Sequence, residues 1–154
     1  MRTPAALALA SAAFLAGLSG ARLMPAASAQ GVPAPPPAPL VINLKELTDD
    51  AIAPAKPGVD VRSRTVLATP GATVSVQSGN VFKHYHRDSD EVQYVVEGTG
   101  TFWLGDTQRT VGPGDLIVIP RGTPHAGSVA TSGRFKAIAI KTPPQAADDV
   151  HRVD

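Results

Sequence analysis

The chain of 154 residues contains no cysteine. It can therefore form no disulfide framework, thiolate zinc site, iron–sulfur cluster or lipid-modified cysteine. Any bound metal must be held by His, Asp or Glu. Histidines are also few, and the sequence has four of them, at His84, His86, His125 and His151.

Acidic residues are missing from the first part of the chain, residues 1–29, which contain 11 Ala and two Arg. A positive start precedes an apolar run at residues 5–18, and a small-x-small pattern ends at Ala29. This predicts a secretory signal peptide at residues 1–29, cleaved after Ala29 or alternatively after Ala21, and a periplasmic or secreted protein. The apolar run is shorter than the roughly 20 residues that span a bilayer, so we expect no stable membrane anchor after cleavage.

An excess of basic residues is also absent once this leader is removed. Loss of Arg2 and Arg22 changes the formal charge from +1 to −1, because the 14 basic residues become 12 against 13 acidic ones. The remaining sequence has no basic cluster. We therefore expect no nucleic-acid partner and no binding to an anionic membrane.

Composition divides the rest of the chain into three parts. Residues 30–39 form a Pro-rich linker, since residues 32–39 contain five prolines that favour an extended conformation. Residues 40–141 are predicted to form one β-domain. Residues 142–154 lose all periodicity and are predicted to be a flexible, exposed C-terminal tail.

Short runs rich in Val, Ile, Thr and aromatic residues alternate with Gly, Pro and Asp through the predicted domain. This spacing is typical of an all-β sandwich or barrel. The candidate strands are residues 59–67, 73–78, 81–86, 91–97, 101–104, 108–111, 116–119, 125–129 and 135–140. Residues 40–50 are ambiguous, because residues 40–44 are typical of a strand and residues 45–50 of a possible helical turn, and we favour the strand at 40–44.

Three of the histidines and one carboxylate form a candidate metal site. His84 and His86 lie two apart in a predicted strand, so both rings face the same side with Cα atoms about 6–7 Å apart. Glu91 follows a polar turn, and His125 follows a turn rich in Pro and Gly. Three imidazoles and one carboxylate suit one divalent transition metal ion, namely Mn, Fe, Zn, Ni or Cu, and leave positions open for substrate. The alternative is that the His-x-His pair alone has only a structural role.

The spacing of these residues resembles the two motifs of the cupins, a family of small β-barrel proteins. The first motif corresponds to Gly79, His84, His86, Glu91 and Gly98, and the second to Gly114, Pro120, Gly122 and His125. Two departures are a Gly79–His84 spacing that is one residue short and Val129 in place of the usual Asn. The resemblance covers residues 59–141.

This resemblance implies an all-β fold with a single cupin barrel, a double-stranded β-helix or jelly roll. It also implies that His84, His86, Glu91 and His125 are metal ligands. Cupins include dioxygenases, decarboxylases, isomerases, lyases and binding proteins, so fold alone does not fix the reaction. We expect a metal-dependent enzyme that acts on a small carboxylate, enolate or phenolic substrate by Lewis-acid or dioxygen chemistry. The alternative is a cupin that binds metal or a small ligand without catalysis.

Further residues carry weaker expectations. Alternation along the strand places Gln93 on the same side as Glu91, where it contacts substrate, supports a ligand or only satisfies a backbone group. We interpret Arg121 and Lys136 as solvated surface residues, with anion binding as the alternative, and His151 as part of the exposed tail. The aromatic side chains Phe82, Phe102, Trp103 and Phe135 are predicted to be core. A homodimer is expected, with residues 40–44 as an edge strand that could pair with a partner subunit.

Overall fold

The computed structural model describes residues 38–153, so the predicted signal peptide and most of the Pro-rich linker lie outside the described residues. The predicted all-β class is confirmed. The elements are α1 (Asp49–Ile52), β1 (Arg62–Ala68), β2 (Thr73–Ser78), β3 (His84–Tyr85), β4 (Asp90–Leu104), β5 (Thr107–Val111), β6 (Leu116–Ile119), β7 (His125–Thr142) and β8 (His151–Arg152). Within residues 38–153, no helix is long and apolar enough to cross a membrane.

All eight strands belong to one antiparallel sheet that is organised around two long strands, β4 and β7. These strands pair from Asp90 opposite Thr142 to Leu104 opposite His125. β7 also pairs with β2 through its second half and with β3 at His125, while β4 pairs with β5 and β6. The sheet therefore bends, and its inner face encloses an apolar core. The core residues are Val95, Phe102, Val111, Ile117, Ile119, Ala126 and Phe135.

The length of β4 and β7 differs from the sequence prediction. Residues 91–97 and 101–104 were expected to be two strands, and so were residues 125–129 and 135–140, but each pair is one continuous strand. The predicted breaks are register shifts within the ladder. At Gly98, φ is 79° and an added Cβ would lie 2.6 Å from the Arg134 backbone. Glycine lets β4 bend against β7 at this point without ending.

The prediction of a strand at residues 40–44 is wrong, because this segment makes no ladder hydrogen bonds. Its alternating side chains Leu40, Ile42 and Leu44 instead line one cavity together with apolar residues of β1 and β2. Alternation of apolar residues therefore does not produce a strand in this segment. The predicted strand at 81–86 is also shorter and is reduced to β3, whereas the predictions for 73–78 and 116–119 match β2 and β6.

The prediction that residues 142–154 form an exposed tail is also wrong. His151 and Arg152 form β8, which pairs with His84 and Tyr85 of β3. Asp149 is only 1% exposed. The segment lacks periodicity because its order comes from a two-residue ladder and one buried polar side chain, and neither leaves a repeating pattern in the sequence.

Candidate metal centre

Four side chains converge on the inner face of the bent sheet, and we call them the four-residue cluster: His84, His86, Glu91 and His125. His84 in β3 lies directly opposite His125 at the start of β7, and Glu91 lies near the start of β4. One ligand atom from each residue lies within 4.8 Å of the others, and all four residues are buried. The four residues that the sequence predicted as ligands are thus brought together.

The turn that precedes β7 determines where His125 enters the cluster. The Gly122 amide donates a hydrogen bond of 2.6 Å to the carbonyl of His86. Gly122 has φ of 77°, a conformation that glycine adopts without steric cost. Ala126, which follows His125, also has a positive φ of 67° although it is not glycine. The backbone on both sides of His125 is therefore held in special conformations that aim its ring inward.

Each imidazole ring is oriented by a hydrogen bond from its Nδ1 atom to a backbone carbonyl. The acceptors are Phe82 for His84 and Thr123 for His125, both at 2.9 Å, and Asp149 for His86. A carbonyl oxygen can only accept, so Nδ1 carries the proton in all three rings. The Nε2 atom of a neutral ring then presents a lone pair, as a metal-binding histidine requires.

Glu91 is the anionic member of the cluster. Its Oε2 atom lies 3.0 Å from His86 Nε2 and 3.3 Å from His125 Nε2. Burial raises the pKa of Glu91, but His125, His86 and the Lys141 ammonium outweigh this effect and hold the pKa well below its ordinary value. The cluster therefore contains an ionised carboxylate surrounded by three imidazole rings.

The donor set fits a divalent cation. Neutral rings that use their Nδ1 protons elsewhere leave Nε2 lone pairs facing the carboxylate oxygens, and this arrangement needs a positive charge between them. His125 Nε2 is buried and makes no hydrogen bond within residues 38–153. Burial and the neighbouring His125 lower the pKa of His84 to about 4, so this ring is neutral near neutral pH and can act as a ligand. The residues present thus match the requirements of a metal ion.

Comparison with known proteins agrees with this geometry. The family model of the cupin domain matches residues 72–141. An acireductone dioxygenase from Rhodopseudomonas palustris (strain TIE-1) is 34% identical over 117 residues, which cover 68% of this chain and 70% of that protein. The chain belongs to the cupin family. The cupin resemblance of the two sequence motifs is thereby confirmed.

Solved structures of other proteins share the fold of this cupin. KdgF from Halomonas sp. is 27% identical with a TM-score of 0.52, over 63% of this chain and 87% of that chain. TT1209 from Thermus thermophilus is 21% identical with a TM-score of 0.55, over 68% of this chain and 97% of that chain. The second likeness concerns the fold alone.

Gln93 lies beside the cluster of this cupin on the inner face of β4. Its side-chain amide donates a hydrogen bond of 2.8 Å to Glu91 Oε1. Glu91, Gln93 and Val95 are all buried, as alternation along the strand predicted. Of the three roles considered for Gln93, the contact with Glu91 corresponds to support of a candidate ligand.

Lys141 is a site residue that sequence reasoning missed. It lies opposite Glu91 in the ladder between β4 and β7, with its Nζ atom 3.8 Å from Glu91 Oε2. Burial lowers its pKa, whereas Glu91 and Asp149 oppose that change. The sequence did contain a signal, because Ala137, Ala139 and Lys141 alternate with two isoleucines and therefore share one face.

Three expectations about residues outside the cluster are wrong. Lys136 is not a solvated surface residue, since it is 6% exposed and pairs with Glu97 at 2.9 Å. Phe82 is not core, because it is 44% exposed. His151 is not in a solvated tail, because its ring stacks on Tyr85 with centroids 4.9 Å apart. Arg121, by contrast, is a surface residue as predicted and pairs with Asp90 at 2.7 Å.

Proposed function

We propose that this cupin is an enzyme that depends on one divalent transition metal ion and acts on a small carboxylate, enolate or phenolic substrate. His84, His86, Glu91 and His125 would hold the ion, which is one of Mn, Fe, Zn, Ni or Cu. The observation that carries the proposal is the convergence of three imidazole nitrogens and one carboxylate oxygen within 4.8 Å in a buried site. When bound there, a divalent ion supplies Lewis-acid or dioxygen chemistry.

The surrounding side chains have defined tasks in this proposal. The Gln93 amide holds Glu91 Oε1, which fixes the rotation of the carboxylate about its own axis. Lys141 adds a positive charge 3.8 Å from the same carboxylate. One carboxylate leaves a divalent ion with excess positive charge, and Lys141 increases that excess. The site therefore favours an anionic oxygen ligand from the substrate.

An open cavity supports catalysis over the alternative of metal or ligand binding without turnover. A cavity of about 260 Å³ adjoins the cluster, and its lining includes His84, Glu91, Gln93 and Lys141. Filled space next to the ion would have favoured a non-catalytic role, whereas an open cavity with polar groups near the cluster leaves room for a substrate. The name of the Rhodopseudomonas palustris relative makes the oxidation of an acireductone by dioxygen the first reaction to test.

Metal analysis of the purified protein tests the proposed ligands. We expect about one ion per chain in the wild type and background levels when His86→Ala is combined with Glu91→Gln. Glu46→Gln, which removes an exposed carboxylate outside the cluster, is the matched control and should retain the ion. Full metal content in the double variant would refute the ligand assignment. Oxygen consumption with an acireductone, and then with carboxylates and phenols, tests for turnover.

We also propose that the protein is exported, on the basis of the signal-peptide pattern at residues 1–29. N-terminal sequencing of the protein from the periplasm or medium of a bacterial host should start at Gln30. Recovery of the intact chain from the cytoplasm alone would contradict export.

A homodimer is a further proposal. The exposed apolar side chains of Tyr94, Leu116 and Val118 on the outer face of β4 and β6 support it. Light scattering at micromolar concentration tests it, and a monomer would count against it.

A further inference from the structure

A groove leads away from the four-residue cluster along the inner face of β1, β2 and β7. It consists of the cavity of about 260 Å³ beside the cluster and a second cavity of about 230 Å³. Apolar side chains, Val61, Val81, Phe82 and Val150, line part of the cavity beside the cluster, and polar side chains predominate further along. Both cavities are lined by Ser63, Gln77, Lys141 and Gln145. The second is lined in addition by Thr65, Thr73, Ser75 and Ala139. We call these eight residues the hydroxyl groove.

The strand register explains why these side chains share one surface. Thr65 lies opposite Ser75, Ser75 opposite Ala139, and Ala139 opposite Gln93, so one row crosses four strands. A neighbouring row runs from Thr73 through Lys141 to Glu91. Residues directly opposite each other in a sheet point to the same face. Both rows therefore connect the hydroxyl side chains of β1 and β2 to the cluster.

The groove has room because its β7 member is small. Ala139 carries only a methyl group in the middle of its row, between the hydroxyl of Ser75 and the amide of Gln93. On the opposite face of β7, the equivalent positions are Ile138 and Ile140. A large side chain at position 139 would fill the space between the cluster and the hydroxyls. The large side chains of this part of β7 therefore lie on its outer face, and the small side chain lies on the inner face beside the groove.

Lys141 gives the groove its charge at the point where it meets the cluster. Its ammonium group donates a hydrogen bond to Gln145 Oε1 and lies 3.8 Å from Glu91 Oε2. An ammonium group has three donors, so donors are left for an anionic ligand atom. None of the eight groove residues is acidic, and Glu91 of the cluster is the one acidic residue among the described residues that line the two cavities. An anion at this position would meet one cation and no second carboxylate.

We propose that the hydroxyl groove binds the substrate, and that the substrate is a small polyhydroxylated carboxylate. Its carboxylate or enolate oxygen contacts Lys141 beside the cluster, and its hydroxyl groups exchange hydrogen bonds with Ser63, Thr65, Thr73, Ser75 and Gln77. Hydroxyl and amide side chains both donate and accept, so they match the hydroxyl groups of such a ligand. The inference rests on the proposed function in that the reacting end of the substrate lies at the cluster.

Calorimetric titration of the metal-containing protein as purified tests the groove with three matched probes. D-Gluconate carries both hydroxyls and a carboxylate, sorbitol carries the hydroxyls alone, and hexanoate carries the carboxylate alone. We expect gluconate to bind at least about tenfold more tightly than either of the other two. Equal binding of gluconate and hexanoate would overturn the inference, because the hydroxyls would then contribute nothing.

Variants locate the binding site. Lys141→Gln should reduce gluconate affinity to the level of sorbitol. The pair Thr65→Val and Ser75→Ala should weaken gluconate about tenfold and leave hexanoate unchanged. Thr110→Val, an exposed threonine of β5 outside the groove, is the matched control and should change neither. Unchanged gluconate affinity in both groove variants would overturn the inference.

Metal content measured on the same samples separates the two proposals. Wild-type protein without a bound ion would refute the proposed function. Substrate binding in the groove would still be supported if the protein bound gluconate selectively and the groove variants abolished that selectivity. Full metal content without gluconate selectivity would refute the groove alone.

Discussion

His86 donates its Nδ1 proton to the backbone carbonyl of Asp149, a residue 63 positions later in the chain. The Asp149 side chain in turn accepts hydrogen bonds from the amides of Arg87, at 2.6 Å, and Asp88, at 3.2 Å. These amide groups lower the pKa of Asp149 although its burial acts in the opposite direction. The C-terminal segment therefore fixes both the ring of His86 and the turn that follows it.

Substitution of Asp149 should consequently weaken a site that it does not line. Asp149→Ala removes the charged acceptor of two part-buried amides, and we expect a loss of about 2 kcal/mol in the free energy of unfolding. Metal affinity should fall about tenfold, because the orientation of His86 is less fixed. Urea unfolding and competition with a chelator measure the two effects.

Asp148→Ala provides the control, since Asp148 is the exposed neighbour in the same segment. It should change neither quantity. Asp149→Asn keeps one acceptor oxygen and should give a smaller loss than Asp149→Ala. Equal metal affinity in wild type and Asp149→Ala would show that the segment does not support the site.

The contrast between Glu91 and Asp149 shows what sequence could predict here. The cluster was predictable because His84, His86 and Glu91 lie within eight consecutive residues, where strand alternation and one turn decide their direction. Asp149 acts on His86 through a backbone carbonyl, a group that every residue has, so no residue type marks the contact. Lys141 reaches Glu91 only through the register between two distant strands. Alternation along a strand predicted which face such a residue lies on. Its neighbours across the sheet depend on which strands pair and in which register, and the alternation does not contain that information.

Gln93 should act on metal binding through Glu91. Gln93→Leu removes the donor to Glu91 Oε1, at present 2.8 Å away, and leaves that oxygen without its partner. We expect metal affinity to fall about tenfold, as is typical when the hydrogen-bond partner of a ligand is lost. Tyr94→Phe is the control, because Tyr94 is adjacent on β4 but 43% exposed on the outer face. A similar loss in both variants would point to a general effect on β4.

Acidification should destabilise the metal-free protein through His84. Burial and the neighbouring His125 lower its pKa from the ordinary 6.5 to about 4, so below pH 6.5 the unfolded chain binds a proton that the folded chain does not. Stability therefore rises with pH across this window and falls as pH decreases. We expect a loss of about 2 kcal/mol between about pH 7.5 and about pH 5.

Urea unfolding of the EDTA-treated protein at several pH values measures this loss. His84→Gln lacks the titrating group, so its stability should depend less on pH in the same window. An identical pH dependence in the variant and in the wild type would exclude His84 as the source.

Substitution of two glycines with positive φ separates the stability cost of backbone strain from the cost of a steric clash. An added Cβ at Gly98 would lie 2.6 Å from the Arg134 backbone, whereas Gly105 has φ of 60° and open space around it. Gly105→Ala should cost only the conformational strain of about 1 kcal/mol. Gly98→Ala should cost at least about 3 kcal/mol, because β4 and β7 must also move apart. Thermal unfolding compares the two, and equal losses would mean that the strands separate at Gly98 without cost.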